Sequence, residues 1–412
     1  MSFLNPVVKC YPWGSRTSLP ELAGESSPAV DPIAEYWFGS HELGSSVTSS
    51  GESLADLITS DPSGQLGEGV LSDFGQRLPF LVKLLSAERA LSLQVHPGKE
   101  QAEIGFAEEE RKGVPLDSFE RIYRDSYHKP ELLVALSEFH ALVGFRPVFR
   151  TMELLDALEV PSLEGYRDAL VANPTSQTIK LMVDDLITKS CSELAETVED
   201  LKLACCRYLG KNVASSRWAS VAATVMELAS QFPNDAGVVI SILLNRVVLA
   251  PGDSVFIGPG QLHAYLRGNG VEVMANSDNV LRGGLTEKHV DLQELTRVFS
   301  CEPLSQPIAR PVQLTSDVQN ISEYVTTADE FCVSRYELET GLNATVAASD
   351  SPEIWLCTGG EVEFDDGDAS CSVVPARAAW VPSTASLIRL TTAKRSTLFR
   401  IQVGRTAVSA GG

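Results

Sequence analysis

The feature that most constrains the fold of this 412-residue chain is a change of hydrophobic period partway along it. Before about residue 150 and after about residue 235, short apolar runs alternate with Gly, Pro and Asp, which is typical of strands joined by tight turns. Between them, two sets of apolar residues are spaced i, i+4, i+7, namely Leu194, Val198 and Leu201, and Val221, Val225 and Leu228. Each set forms one apolar stripe of a helix. The chain is therefore predicted to be mainly β with a helical insertion.

Several segments outside the helical block carry strand signals. Residues 238–244 are apolar and β-branched and are predicted to form a strand, followed by strands over residues 246–249 and 255–257. Turns rich in Gly and Pro flank the third strand, and the second of these turns leads to His263. This order of short strands and tight turns favours a jelly-roll barrel. A helix is also expected over residues 99–110.

Three domains are predicted from these changes of pattern. Residues 1–150 together with 235–310 form a catalytic barrel, residues 151–234 a helical insertion domain, and residues 311–412 a second, C-terminal β jelly roll. The six histidines are His41, His96, His128, His140, His263 and His289. Since none of them follows residue 289, a histidine-based metal site must belong to the first barrel. The C-terminal β domain is expected to hold no metal.

Composition excludes several classes of protein. A net charge of −21 argues against binding to nucleic acid or to anionic membrane surfaces. No apolar run reaches the roughly 18 residues that a membrane-spanning helix needs. The eight cysteines contain no Cys-x-x-Cys pair, so neither a zinc knuckle nor a disulfide framework is expected. The start of the chain lacks the basic and apolar segments of a signal peptide, which predicts a cytoplasmic location.

A candidate metal site begins at Gln94 and His96. In a strand, alternate side chains point to the same face, so these two would project side by side into one cavity. A carboxylate and a second imidazole would complete a four-ligand divalent site, and Glu131 and His263 are the candidates. Pro130 favours extended geometry before Glu131, although the same proline also fits a helix that begins there, with Glu131 beside its dipole.

A further polar segment follows the apolar residues 271–274. Asp278 and Arg282 lie four residues apart and are followed by two glycines. The pair is either an exposed salt bridge of little energetic weight or part of an active-site loop.

Taken together, these residues show that the chain resembles the type I phosphomannose isomerases. The matching segments follow one another in the family's order, at residues 11–14, 34–39, 78–87, 91–97, 128–131, 144–147, 263–265 and 276–282. The glycine-rich turn and His263 also resemble the second metal-binding motif of cupin barrels. The resemblance implies a cupin-type catalytic barrel and a zinc-dependent aldose–ketose isomerase that interconverts mannose 6-phosphate and fructose 6-phosphate. It further implies a monomer whose partner is a small sugar phosphate.

The resemblance also implies roles for individual residues. One zinc ion per chain is expected on Gln94, His96, Glu131 and His263. Arg282, Asp278, Lys129 and His128 are expected to line the reacting centre, with Glu272 and Tyr265 nearby. The positions that match the family's phosphate contacts are Ser92, Lys83 and Lys288.

The implied reaction sets requirements for the site. An aldose–ketose isomerase removes a proton next to a carbonyl and returns it one carbon away through an enediol(ate), so it needs a base and a stabiliser of negative oxygen. Arg282 suits the second role as a fixed cation. Lys129 is one candidate for the base, and the alternatives are Glu272, Asp278 and His128.

Two other functions use the same barrel. One is an iron-dependent cupin oxygenase, although such sites commonly carry two or three histidines and leave positions open for oxygen. The other is a sugar-binding or regulatory cupin without catalytic activity. Presence of the full candidate ligand set together with Lys129 and Arg282 favours the isomerase over both.

Overall fold

The computed structural model describes residues 1–211, 216–288, 290–314 and 320–404. His289, one of the six histidines, lies outside these residues. Helices and many-stranded antiparallel sheets together make the fold. No helix among the described residues is long and apolar enough to cross a membrane.

The strands of the first part of the chain are β1 (Ser2–Asn5), β2 (Val7–Lys9), β3 (Glu35–Phe38), β4 (Ser40–His41), β5 (Gly44–Ser45), β6 (Val47–Thr48), β7 (Phe80–Ala87), β8 (Leu93–Val95), β9 (Glu131–Ala135), β10 (Phe139–Phe145), β11 (Leu244–Leu249), β12 (Ser254–Ile257), β13 (His263–Ala275) and β14 (Leu281–Gly284). The remaining strands are β15 (Val312–Leu314), β16 (Ile321–Tyr324), β17 (Cys332–Leu338), β18 (Asn343–Ala347), β19 (Glu353–Gly359), β20 (Val362–Asp365), β21 (Ser370–Val373), β22 (Arg377–Val381), β23 (Leu387–Thr392) and β24 (Ser396–Gln402).

The α-helices are α1 (Ser18–Leu22), α2 (Leu54–Ser60), α3 (Pro62–Leu66), α4 (Glu68–Phe74), α5 (Lys99–Lys112), α6 (Val148–Leu158), α7 (Glu164–Ala172), α8 (Ser176–Thr188), α9 (Cys191–Lys211), α10 (Ala219–Gln231), α11 (Ala236–Ile240) and α12 (Leu292–Val298). Short 3-10 turns lie at Pro161–Leu163 and Ser241–Leu243.

One long strand organises the first sheet. This ten-stranded sheet runs in the order β11-β10-β13-β7-β3-β2, with β8, β9, β12 and β14 joined to its side. The thirteen-residue β13 pairs antiparallel with β7, β8, β9 and β10. Because one strand contacts four others, residues far apart in sequence are brought onto one surface along β13.

The C-terminal strands form two further sheets. The larger runs β15-β16-β17-β24-β19-β22-β1-β6 and the smaller runs β18-β23-β20-β21. Two strands from the start of the chain, β1 and β6, therefore belong to the C-terminal sheet, and Ser2 lies opposite Trp380. A core that contains Tyr36, Phe80 and Phe399 joins the two large sheets, so they are packed as one body.

The middle of the chain is helical, as its periodicity predicts. In α9, Val198 and Leu201 are buried, and in α10 the predicted stripe of Val221, Val225 and Leu228 is buried. These helices pack on the first sheet through a core that includes Leu142 and Phe145. The predicted helix over residues 99–110 is confirmed as α5.

The prediction of a strand over residues 238–244 is wrong. The chain forms α11 there, followed by a 3-10 turn, and β11 begins only at Leu244. A continuous apolar run of this length does not distinguish a buried strand from a buried helix. Here Asp235 favours the helix, because its side chain accepts a hydrogen bond from the backbone N–H of Gly237 and caps the first turn of α11. The other predicted strands, over residues 246–249 and 255–257, are confirmed.

Candidate metal centre

Three potential metal ligands meet inside the first sheet. The ligand atoms of His96, Glu131 and His263 all lie within 4.8 Å of one another. The Nε2 atoms of His96 and His263 lie 3.3 Å and 3.5 Å from the two oxygens of the Glu131 carboxylate. All three side chains are buried. Two imidazoles and a carboxylate in this arrangement form a compact donor set for a divalent metal.

The strand register explains why these residues meet. Glu131 opens β9 opposite Met274, near the end of β13, so the alternative of a helix beginning at Pro130 does not apply. His263 opens β13 and lies directly opposite Gln94 of β8. His96 comes just after β8, two residues beyond Gln94 and therefore on the same face.

The predicted ligand Gln94 lies in a row that crosses three strands. It is directly opposite His263 on one side and Arg282 of β14 on the other. Residues directly opposite each other share a face of the sheet. Its amide nitrogen donates to the Ser92 hydroxyl at 3.1 Å, so the structure places Gln94 between the three buried ligands and the predicted catalytic arginine.

Backbone carbonyls orient both histidines. The Nδ1 of His96 lies 2.8 Å from the carbonyl oxygen of Asn279, and the Nδ1 of His263 lies 3.0 Å from that of Gln261. Since a carbonyl can only accept, each Nδ1 carries the proton and each Nε2 presents a lone pair to Glu131. Burial lowers the pKa of His96 and favours this neutral form.

The charge state of Glu131 fits a ligand. Burial works against ionisation of this carboxyl, but the positive charge of the neighbouring Lys129 lowers its pKa. Lys129 contributes directly, because its Nζ lies 3.3 Å from the carboxylate and its side chain is also buried.

Lys83, a predicted phosphate contact, is enclosed by carboxylates. Its Nζ lies 2.9 Å from Glu272 and 3.6 Å from Glu35, and the residue is only 7% exposed. Burial alone would lower the pKa of Lys83, but Glu272 and Glu35 raise it above its ordinary value. Trp37 donates its indole N–H to Glu35 at 2.8 Å. The structure thus places Lys83 within a buried ion-pair network rather than on an open surface.

Tyr265 lies between this network and the metal ligands. Its ring centroid is 6.0 Å from that of His263. Burial, followed by the Glu272 carboxylate, raises its pKa well above the ordinary value, so the phenol keeps its proton.

Asp278 pairs with His41 rather than with Arg282. The Nε2 of His41 lies 3.3 Å from Asp278, while its Nδ1 accepts the backbone N–H of Leu43 at 3.1 Å. The acceptor role of Nδ1 leaves the proton on Nε2, which donates to Asp278. Burial opposes ionisation of Asp278, but the hydrogen bond from His41 lowers its pKa. The alternative of an exposed Asp278–Arg282 salt bridge is therefore wrong.

His128 contacts a residue from the C-terminal part of the chain. Its Nε2 lies 2.6 Å from an oxygen of Glu330, just before β17. Lys129, the next residue, contacts Glu131 instead. Of the two adjacent residues, Lys129 thus lies beside the metal ligands, and His128 is held by another region.

A cluster of cations lies beyond Gln94. Burial and the positive charge of Arg124 lower the pKa of Arg282, and burial, Arg282 and Arg124 lower that of Lys288. These shifts show that the three charges lie near one another. Among the described residues, none of the three side chains has a carboxylate within ion-pair distance. Uncompensated cations in a chain with a net charge of −21 indicate a binding surface for an anion.

Several residues of the site were not predicted from the sequence. They are Arg124, His41, Glu35, Asn279 as an orienting group, and Glu330. His41 was the most accessible of these, since a chain with six histidines that places one just after a buried strand offers a signal. Arg124 and Glu330 reach the site only through folding over long separations and leave no local pattern.

Known proteins resemble this chain in sequence. A family model of the phosphomannose isomerase type I catalytic domain matches residues 1–148. A mannose-6-phosphate isomerase of Escherichia coli (strain K12) is 35% identical over 387 residues, which cover 92% of this chain and 94% of the relative. Mannose-6-phosphate isomerase 1 of Arabidopsis thaliana is 33% identical over 373 residues, which cover 86% of this chain and 83% of the relative.

A solved structure is similar over nearly the whole chain. The crystal structure of mannose 6-phosphate isomerase from Salmonella typhimurium, bound to its substrate F6P and a zinc atom, aligns with a TM-score of 0.88 at 32% identity. The alignment covers 98% of this chain and 100% of that chain. The chain therefore belongs to the type I phosphomannose isomerase family.

Proposed function

We propose that this protein is a zinc-dependent aldose–ketose isomerase that interconverts D-mannose 6-phosphate and D-fructose 6-phosphate. The observation that carries the proposal is the buried His96–Glu131–His263 group beside an uncompensated cluster of cations. A metal site next to an anion site is what a sugar phosphate requires. The similarity to mannose-6-phosphate isomerases over most of the chain supports the same substrate.

The donor groups fit zinc. The buried Nε2 of His96 has no hydrogen-bond partner, although it lies 3.3 Å from a carboxylate oxygen. Two lone pairs that face each other at this distance repel unless a cation lies between them. His263 presents its Nε2 to the other carboxylate oxygen in the same way. His96, Glu131 and His263, with the Gln94 amide oxygen as fourth ligand, would hold one zinc ion per chain.

The chain's own groups supply the proton transfers. When bound, zinc supplies Lewis-acid polarisation of the sugar's carbonyl and hydroxyl oxygens. A base must take the C2 proton of the aldose and return a proton to C1, while the hydroxyl proton on O2 moves to O1. We assign the base to Lys129 because, of the four candidates, its side chain contacts the proposed metal ligand Glu131, whereas Glu272, His128 and Asp278 contact Lys83, Glu330 and His41.

Asp278 and Tyr265 complete the acid–base set. The Asp278 carboxylate, held by His41, can accept a hydroxyl proton of the substrate, and the buried Tyr265 phenol can donate a hydrogen bond. Glu272 keeps Lys83 charged at the edge of this group. We place Lys83 and Glu272 as a fixed electrostatic background to the reacting carbons.

The cation cluster suits the phosphate. Arg124, Arg282 and Lys288 offer planar guanidinium donors and an ammonium to a dianion. Ser92 joins them through Gln94, which donates to its hydroxyl and lies opposite Arg282. Arg282 then lies between the metal ligands and the phosphate and can stabilise the enediolate oxygen as well.

The proposal also covers the domains, the oligomeric state and the location of the protein. The first sheet with its side strands would form a cupin-type jelly roll over residues 1–150 and 235–310, without β1 and β6. Residues 151–234 would form a helical domain. Residues 311–412, together with β1 and β6, would form a second jelly roll. We further propose that the protein is active as a monomer. The eight cysteines are free, which supports a cytoplasmic location.

Isomerisation in heavy water tests both the activity and the proton transfer. Purified zinc-loaded protein is incubated with mannose 6-phosphate in D2O, and the fructose 6-phosphate formed is followed by NMR and mass spectrometry. We expect deuterium on C1 of the product because the base exchanges its proton with solvent. A product free of deuterium after prolonged equilibration would contradict the proposed base, and absence of any product would contradict the proposed activity.

A further inference from the structure

The C-terminal part of the chain reaches the candidate site through Glu330. This residue lies just before the buried Phe331 and β17, and its side chain is 9% exposed. One carboxylate oxygen lies 2.6 Å from the Nε2 of His128. Burial opposes ionisation of Glu330, but this hydrogen bond lowers its pKa. The contact is thus a short charge-assisted hydrogen bond between two regions that are 202 residues apart in sequence.

Arg77 packs next to this contact. Its guanidinium lies 3.4 Å from the ring centroid of Tyr127. Burial lowers the pKa of Arg77, and the negative charges of Asp125 and Glu330 partly offset this effect. Its Nη1 donates to the carbonyl of Asn276 at 3.4 Å. Arg77 therefore joins the loop before β9 to the loop after β13, on the side where Glu330 lies.

The segment that follows Tyr127 carries the most important groups of the site. It contains His128, the proposed base Lys129, and the ligand Glu131. On one side, the carbonyl of Tyr127 accepts hydrogen bonds from Asn279 at 2.9 Å and from Ser277 at 3.2 Å. On the other side, the His128 side chain contacts Glu330. The segment is thus held from two directions before β9 begins.

We propose that Glu330 is a positioning residue that holds His128 and so keeps Lys129 directed at the reacting carbon, beside Glu131. The inference rests on the proposed function. Without the carboxylate, His128, which is 24% exposed, is free to turn toward solvent. A displacement of about 1 Å at a reacting group can cost on the order of a hundredfold in rate. The C-terminal part of the chain then contributes to catalysis by alignment, through Glu330.

Variants at Glu330 test this role in the full-length, zinc-loaded protein. For Glu330→Ala we expect kcat to fall about 10- to 100-fold, with unchanged zinc content and KM within about twofold. Glu330→Gln keeps an amide oxygen that accepts from the His128 N–H, so its kcat should return to within about threefold of the parent. Glu337→Ala is the matched control, since Glu337 of β17 pairs with Arg335 and lies outside the site; its kcat should not change.

A double variant separates positioning from general stabilisation. If Glu330 acts through His128, adding Glu330→Ala to His128→Ala should cause no further loss of kcat. A wild-type kcat in Glu330→Ala, a loss of zinc from that variant, or additive losses in the double variant would each overturn the inference. An inactive parent protein would instead contradict the proposed function, and the His128 contact is then tested by NMR of 15N-histidine-labelled protein. Loss of the hydrogen-bonded His128 Nε2–H signal in Glu330→Ala supports the contact, and its persistence overturns the inference.

Discussion

The first sheet and the C-terminal sheet contain the same buried motif in two different environments. In β3, Glu35 accepts the indole N–H of Trp37 at 2.8 Å, and in β19, Glu353 accepts that of Trp355 at 2.7 Å. Each tryptophan lies directly opposite a cation on the neighbouring strand, Trp37 opposite Lys83 and Trp355 opposite Arg400.

The two motifs differ at the cation and its further neighbours. Arg400 binds Glu353 with two hydrogen bonds of 2.6 Å and 2.9 Å and also donates to the carbonyl of Ala347 at 2.8 Å. The next strand places Ser334 opposite Arg400, whereas β13 places Glu272 opposite Lys83. Arg400 thus pairs with a single carboxylate, while Lys83 is shared between two carboxylates.

The surroundings of each motif give it its role. Around Trp355 the core is apolar and includes Leu338, Phe364 and Ile388. Around Lys83 the polar groups continue through Glu272 and Tyr265 to the metal ligands. A buried ion pair beneath a tryptophan therefore does not identify a functional site by itself. What distinguishes the first sheet is that its network extends to groups that can exchange protons or bind metal.

Removing a metal ligand should have the largest effect. For His263→Ala we expect loss of bound zinc and a fall in kcat on the order of 10³-fold or more, because several kcal/mol of polarisation disappear. Metal content by mass spectrometry and isomerase assays check both. His140→Ala is the control, since His140 is also a buried histidine but pairs with Glu138; the control should keep its zinc. Normal activity of zinc-free His263→Ala would contradict the site.

Removing the proposed base should spare the metal. For Lys129→Met we expect kcat to fall by roughly 10²–10⁴ with zinc content near that of the parent, because the zinc ligands themselves are unchanged. The rate and the metal content are measured on the same sample. Little change in kcat would reassign the base to one of the alternatives, Asp278, Glu272 or His128.

Breaking the C-terminal ion pair should affect stability alone. Arg400→Met leaves the Glu353 carboxylate buried without its partner, and we expect a loss of about 3–5 kcal/mol in the free energy of unfolding. Denaturant titration measures this loss, and kcat per folded molecule should not change. A large loss of kcat in folded protein would mean that the two motifs share a catalytic role.

The matched tryptophan variants should show the smallest effects. Trp355→Phe removes one hydrogen bond to a buried carboxylate and should cost about 1–3 kcal/mol of stability without altering kcat. Trp37→Phe frees Glu35 next to Lys83, so it should lower kcat by roughly three- to tenfold as well. Equal kcat values for the two variants would remove the functional distinction between the motifs.

The sequence predicted the parts of the molecule that depend on local pattern. Alternation along a strand placed Gln94 and His96 on one face, and helical spacing identified α9 and α10. The error at residues 238–244 arose because an apolar run has no period that separates a strand from a helix.

Contacts made by sheet packing could not be predicted in this way. The pairing of β1 with β22 joins residues that are more than 370 positions apart, and the approach of Glu330 to His128 depends on the same packing. Arg124, whose charge acts on Arg282, lies in a loop where its backbone N–H donates to the Asn279 side chain at 2.8 Å. No local propensity encodes such partners.

A metal titration of the isomerase reaction tests the proposed zinc requirement most directly. The purified protein is stripped with a chelator, its zinc content is measured, and the conversion of mannose 6-phosphate to fructose 6-phosphate is followed as zinc is returned. We predict no turnover without metal and recovery that saturates at one zinc per chain. Full turnover in verified zinc-free protein, or no turnover in the fully loaded protein, would contradict the account.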